Sequence, residues 1–111
     1  KGYVMTSNDI YGEMEKHWND FNFIVWGHLA DGNLHLVAGV GDLEYETVKK
    51  IENSVYDPLE LIGGSVSAEH GIGIEKKPYL HLSRSKEEIN YMKALKKTFD
   101  PKCILNPDLI F

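Results

Sequence analysis

Two histidines frame a tight-turn signal in residues 27–35, which read GHLADGNLH. Asp31-Gly32 is typical of a two-residue type I′ hairpin loop, in which both central residues take positive φ. A loop at this dipeptide pairs His28 directly with His35 across two antiparallel strands. Directly paired side chains project from one face with Cβ atoms about 4.5–5.5 Å apart. The spacing therefore predicts two imidazoles that can reach one metal ion.

The alternation of residues along the hairpin separates a candidate site face from a candidate core face. The site face carries both histidines together with Trp26, Asn33 and Val37. The opposite face is aliphatic and suited to packing against a helix, and it consists of Val25, Leu29, Leu34 and Leu36.

A second stretch with chemical groups is the glycine-rich segment 63–73, GGSVSAEHGIG. In a regular strand Glu69 and His70 would face opposite ways, whereas a turn at a neighbouring glycine lets both side chains enter one site. Two imidazoles, one carboxylate and an open position form the ligand set of catalytic Zn, Mn or Fe centres. Spacing alone leaves another interpretation equally open, in which the glycine loop is structural and the histidines are incidental. His17 and His81 are interpreted as ordinary surface or core histidines.

One amphipathic helix is predicted ahead of the hairpin. Ser7 or Asn8 can cap this helix, and apolar residues then recur at four-residue spacing to about residue 18. The aromatic and β-branched residues of 21–29 and 33–40 predict the two strands.

Two further helices are predicted after the hairpin. Asp42 caps the first, and Pro58 is expected to kink it or to end it just before that residue, because proline removes a helical hydrogen bond. Ser85 and Glu88 form a capping box for the last helix. This order of elements predicts an α+β fold, with an antiparallel sheet and helices packed on one face. Because the strands are few, we expect a partial sheet whose remaining strands lie upstream of Lys1.

Composition excludes several classes of protein. The 111 residues fit one domain with 42% hydrophobic and 26% charged residues, and no apolar run is long enough for a transmembrane segment. A net charge of −5 without a basic stripe argues against nucleic acid as a partner. The lone Cys103 predicts a reducing compartment, cytoplasmic or, in a eukaryote, mitochondrial. We interpret it as a buried or half-buried small hydrophobic residue.

Three segments in this order resemble the C-terminal domain of FAD-linked oxidases: GHLADGNLH, SAEHGIG and the terminal DPKCILNPDLIF. This group includes D-lactate dehydrogenases, D-2-hydroxyglutarate dehydrogenase and the glycolate oxidase flavin subunit. The resemblance runs from about residue 24 to the end of the chain. It implies the C-terminal part of an α+β cap domain over FAD, which a separate upstream FAD-binding domain holds.

The resemblance also implies residue roles. His28, His35 and Glu69 match residues that bind a divalent metal, with Zn or Mn favoured over Fe, and His70 matches the base. Asn106 matches the terminal motif that approaches the flavin. The implied substrate is a D-2-hydroxy acid such as D-lactate or glycolate, homo-oligomerisation is left open, and the isolated chain is expected to be inactive. From the residues alone, the alternative is a non-catalytic metal-binding or oligomerising α+β module.

Four positions depart from the pattern of the group. Ala30 stands where the relatives usually have glycine. Val37 stands where the relatives that resemble hydroxyglutarate dehydrogenase have asparagine. Cys103 and Asp108 replace small or glycine residues near the C-terminus. Because Val37 lies on the predicted site face, the resemblance favours D-lactate or glycolate over hydroxyglutarate as substrate.

Overall fold

A computed structural model describes residues 6–111, apart from the side chain of Leu29. The strands pair as one antiparallel sheet, which confirms the α+β class. No described helix is long and apolar enough to cross a membrane. The chain divides into two compact units at Pro58–Leu59. The elements in chain order are α1 (Ser7–Glu15), β1 (Asn22–His28), β2 (Asn33–Gly39), α2 (Tyr45–Ile62), α3 (Gly73–Lys76) and α4 (Lys86–Phe99), with 3₁₀ turns at Leu29–Asp31 and Lys77–Leu82.

Helix α1 is capped by Thr6 rather than by the predicted Ser7 or Asn8. The Thr6 hydroxyl accepts the backbone N–H of Asp9, and the Asp9 carboxylate accepts the Thr6 N–H at 2.7 Å. This reciprocal box needs a carboxylate or amide side chain three residues after the cap. Asp9 stands there for Thr6, whereas Ile10 and Tyr11 stand there for Ser7 and Asn8. The helix ends at Glu15, three residues before the predicted end, and its buried residues are Ile10 and Met14.

The hairpin forms where it was predicted, but the predicted pairing of its strands is wrong by two residues. His28 pairs with Asn33 and Trp26 pairs with His35. The type I′ loop fails because Gly32 alone takes positive φ, at 63°, while Asp31 lies in a 3₁₀ turn. Four residues therefore connect the strands instead of two, which is the other common way to close a hairpin.

A shift of two residues preserves the assignment of faces, because side chains alternate with a period of two. Tyr11 of helix α1 packs against the predicted core face: its ring lies 5.1 Å from that of Phe21 and 5.9 Å from that of Phe23. Val25 and Leu36 are half-buried there. Leu34 is 48% exposed, so its prediction as a core residue is wrong. The prediction for Leu29 falls outside the described side chains.

Helix α2 begins at Tyr45, so Asp42 lies three residues before the helix rather than at the predicted cap position, and Pro58 does not end the helix. The Asp42 carboxylate accepts the Glu44 N–H at 2.9 Å and the Thr47 hydroxyl at 2.6 Å. These bonds, that of Thr47 first, hold the pKa of Asp42 below its usual value. The helix continues past Pro58 to Ile62. Its end is set instead by Gly63, whose φ of 64° is typical of a helix C-terminus.

The second unit contains α4 and a short buried cluster. The predicted capping box is confirmed: Glu88 N–H donates to the Ser85 hydroxyl at 3.2 Å, and Ser85 N–H donates to the Glu88 carboxylate at 2.8 Å. The backbone N–H of Val66 donates to the Ser83 hydroxyl at 2.8 Å, which joins the glycine-rich segment to the turn before α4. The buried apolar residues of this unit are Val66, Tyr79, Leu80 and Leu82.

Asp100 organises the chain after α4. It is buried, pairs with Lys96, and accepts the backbone N–H groups of Ile104 and Leu105 at 3.0 Å each. The bond from Lys96 is the largest cause that holds the pKa of Asp100 below 3.8. In the turn that follows, Cys103 has a φ of 51° and is exposed, so the prediction that it is buried is wrong.

Replacing Asp100 by asparagine is expected to lower the melting temperature at neutral pH. Because the folded-state pKa lies below the unfolded value, the carboxylate stabilises the fold above pH 3.8 and loses that effect as the pH falls through the folded-state pKa. Melting curves of parent and variant should therefore converge in acid. The exposed Asp20→Asn is the control, and an equal loss in that variant would contradict the role of Asp100.

Candidate active site

The hairpin brings the two predicted histidines together on one face. His28 ends β1 and His35 is the third residue of β2, so in the observed register they are diagonal neighbours. Their ring centroids are 6.3 Å apart and the rings are nearly perpendicular, at 86°. His28 is exposed and His35 is half-buried. The predicted pairing of His28 with His35 is wrong, but the prediction that the two rings lie close together on one face is confirmed.

Each histidine has a cross-strand partner that the sequence analysis did not identify: Trp26 for His35 and Asn33 for His28. The Trp26 indole stacks on the His35 imidazole, with centroids 5.4 Å apart and planes 11° from parallel. Asn33, directly across from His28, is only 8% exposed although it is polar. The alternation placed both residues on this face, but the stacking depends on the register and therefore could not be predicted.

Gly27 allows the strands to approach closely beside His28. A Cβ atom at this position would lie 1.9 Å from the carbonyl oxygen of Asn33, which no side chain can tolerate. Gly27 is therefore required for the observed pairing of this part of the hairpin. A glycine inside a strand pattern is the sequence signal for such a close approach.

The segment 63–73 is a closed loop in the second unit. The Ser67 hydroxyl donates to the Gly71 carbonyl at 2.6 Å, and the Lys76 ammonium donates to the Ser67 hydroxyl at 3.3 Å. Gly71 has a φ of 79°, so the backbone turns as the glycine content predicted. Glu69 and His70 lie within this loop and are both exposed.

Asn106 lies in the terminal segment between two anchored carbonyl groups. Lys96 donates to the Leu105 carbonyl at 2.5 Å, and Lys77 donates to the Asp108 carbonyl at 3.0 Å. Asn106 itself is exposed and has a φ of 46°, a conformation that asparagine tolerates better than most residues. The backbone is thus held on both sides of Asn106, and its exposed amide is chemically suited to hydrogen bonding with a ligand.

The other histidines have ordinary surroundings. His17 Nε2 lies 3.6 Å from the Glu13 carboxylate, and its ring contacts Trp18 at 5.6 Å. His81 is exposed in the second 3₁₀ turn. Neither lies on the hairpin, which agrees with their interpretation as ordinary residues.

The histidine pair supplies two side chains of the type that binds divalent metals. A metal–nitrogen distance of about 2.0–2.1 Å places an ion roughly 3 Å from each ring centre, so rings 6.3 Å apart lie at the upper limit of separation for one shared ion. Among the described residues, 6–111, no three His, Cys, Asp or Glu side chains form a group that could hold a metal ion. Two imidazoles are fewer ligands than a protein metal centre uses, so a complete site needs a further ligand.

Comparison with known proteins identifies the family. The model of the FAD linked oxidases, C-terminal domain, matches residues 5–110. The chain belongs to this family. It is 43% identical over 101 residues to D-2-hydroxyglutarate dehydrogenase of Stutzerimonas stutzeri (strain A1501), a match that covers 86% of the chain and 22% of the relative.

Two further relatives of this FAD-linked oxidase domain show the breadth of the family. Mitochondrial D-2-hydroxyglutarate dehydrogenase of Danio rerio is 37% identical over 101 residues, covering 89% of the chain and 19% of the relative. Glycolate oxidase subunit GlcD of Bacillus subtilis (strain 168) is 37% identical over 95 residues, covering 83% and 20%. The chain thus spans about a fifth of the length of these relatives. No solved structure matches it significantly.

Proposed function

We propose that the chain is the C-terminal part of the substrate cap of an FAD-dependent enzyme that oxidises a D-2-hydroxy acid. The observation that carries this proposal is the pair of imidazoles on one face of the hairpin, with centroids 6.3 Å apart. Family membership supports it, since the relatives named above are hydroxyglutarate dehydrogenases and a glycolate oxidase subunit. The same names favour an enzyme over a non-catalytic binding or oligomerising module.

His28, His35 and Glu69 are proposed to hold a divalent metal, with Zn or Mn favoured over Fe. Such an ion, when bound, supplies a Lewis acid that favours ionisation of the substrate hydroxyl. The residues support this role by their chemistry, because two imidazole nitrogens and a carboxylate oxygen leave positions open for substrate. Glu69 is included among the proposed metal ligands because it matches the family motif. It is also exposed in the loop that the bond from Ser67 to Gly71 closes.

His70 is proposed as the general base of the reaction. Its imidazole would accept the hydroxyl proton of the substrate, while the hydrogen at C2 leaves with its electron pair and the acid becomes a 2-oxo acid. FAD, when bound, supplies the acceptor for that hydride. Asn106 would contact the flavin, and an upstream FAD-binding domain would hold most of it, so this chain alone is proposed to be inactive.

The proposed substrates are short D-2-hydroxy acids such as D-lactate or glycolate. Val37 lies on the site face two residues beyond His35 and is 49% exposed. An apolar side chain at this position offers no hydrogen bond to a second carboxylate, which hydroxyglutarate carries and lactate lacks.

The proposed environment is a reducing compartment, cytoplasmic or, in a eukaryote, mitochondrial. Cys103 is the lone cysteine of the chain and is a free thiol. A mitochondrial relative from Danio rerio agrees with this proposal. The proposed partner is the FAD-binding domain.

Single replacement of His28 or His35 by alanine is expected to lower the affinity for Zn²⁺ by more than about tenfold, because each change removes a ligand. Glu69→Gln should lower it as well. The measurement is competition with a chromophoric chelator, together with elemental analysis of protein purified without chelators. His81→Ala is the matched control, and equal affinities of His28→Ala and His81→Ala would refute the metal assignment.

A further inference from the structure

We propose that Trp26 is a positioning residue for His35, fixing the plane of its imidazole in the orientation needed for metal binding. The inference rests on the proposed function and adds a residue to it. It comes from one contact, the nearly parallel stacking of the Trp26 and His35 rings at 5.4 Å and 11°.

Stacking of this kind is a contact with a ring face and does not itself occupy the ring nitrogens. A metal binds an imidazole in the plane of the ring, along the lone pair of a nitrogen, whereas the indole of Trp26 lies over the face. The indole can therefore restrict rotation of His35 without occupying the position of the ion. The His28 ring lies 6.3 Å from the same imidazole at 86°, so two residues of β1 have their rings beside His35.

The exposure of Trp26 supports a role beyond core packing. Trp26 is 52% exposed and lies on the face of the sheet opposite to the one that Tyr11 of α1 contacts. A large aromatic residue in this position contributes little to a core, but it is the direct cross-strand partner of His35. The pairing of the two strands therefore keeps the Trp26 and His35 side chains next to each other.

The test compares three variants of the 111-residue chain: Trp26→Leu, Trp26→Phe and Ile24→Ala. Phenylalanine keeps an aromatic ring over His35, whereas leucine removes it. Ile24 lies on the same face, is 58% exposed and pairs with Val37, so its replacement weakens the hairpin while keeping Trp26 and both histidines. Two quantities are measured: the NMR chemical shifts and side-chain order of the His35 ring, and the affinity for Zn²⁺ by chelator competition.

In Trp26→Leu, we expect the His35 ring signals to lose their upfield ring-current shift and the ring to become more mobile. Zn²⁺ affinity should fall by about tenfold in Trp26→Leu and stay within about threefold of the parent in Trp26→Phe and Ile24→Ala. Unchanged ring order or unchanged affinity in Trp26→Leu would overturn the proposal, as would an equal loss of affinity in Ile24→Ala. If the parent chain binds no Zn²⁺ while Trp26→Leu still mobilises His35, the positioning stands and the metal assignment of the proposed function is the part that fails.

Discussion

Replacing Gly27 by alanine is expected to destabilise the chain by about 3 kcal/mol or more, at the upper end of overpacking effects. The added Cβ would lie 1.9 Å from the Asn33 carbonyl oxygen, and 3.0 Å from its carbonyl carbon. Both atoms belong to the backbone, so no side-chain rotation can relieve the contact. The strands must separate beside His28, and that displaces the proposed metal ligand as well.

Gly39→Ala is the matched control for this prediction, because Gly39 lies in the same hairpin with nothing within 4 Å of its Cβ position. Its replacement should change the free energy of unfolding by no more than about 1 kcal/mol. Denaturant unfolding of both variants measures the difference. If Gly27→Ala unfolds at the same denaturant concentration as Gly39→Ala, the strands are not as close at Gly27 as the register requires.

The face of the hairpin could be predicted from the sequence, whereas its register could not. Side-chain alternation has a period of two, so the sharing of one face by His28 and His35 survives any even shift of pairing. The register depends on the loop, and the Asp31-Gly32 dipeptide is compatible with both a two-residue and a four-residue connection. Only Gly32 uses positive φ in the structure, and this difference moves the partner of His35 from His28 to Trp26.

The start of α4 was predictable because its signal is local and reciprocal. Ser85 and Glu88 bond to each other's backbone N–H groups, so the spacing alone identified the start of α4. Pro58 is a weaker signal, because its cost of about 3 kcal/mol can be offset by the rest of a long helix. Helix α2 accordingly continues to Ile62.

The shape of the loop around Glu69 and His70 depends on bonds that spacing does not reveal. Glycines predicted that the backbone turns, and Gly71 does so at a φ of 79°. The closure itself comes from the Ser67 hydroxyl and the Gly71 carbonyl, reinforced by Lys76. Serine is common in loops for many reasons, so its role here could not be predicted from its position in the sequence.

Replacing His70 by alanine is expected to slow flavin reduction by roughly 10²–10⁴-fold, the usual effect of losing a general base. The prediction applies to a flavoprotein that carries this chain as its C-terminal part. Glu69→Ala should instead weaken the binding of metal and substrate, which appears as a higher substrate concentration at half-maximal rate. The measurement is anaerobic single-turnover reduction of the flavin by D-lactate or glycolate, observed by absorbance.

The competing explanation for a slow His70→Ala variant is collapse of the loop, and the structure provides a way to separate the two. The bond from the Ser67 hydroxyl to the Gly71 carbonyl closes the loop without the His70 side chain, so the variant should keep its flavin content and melting temperature. His81→Ala, at an exposed histidine of the same unit, is the matched control and should reduce its flavin at the parent rate. Loss of flavin or of thermal stability in His70→Ala would indicate collapse. If His70→Ala keeps both and reduces its flavin as fast as His81→Ala at saturating substrate, another group accepts the hydroxyl proton and His70 is not the base.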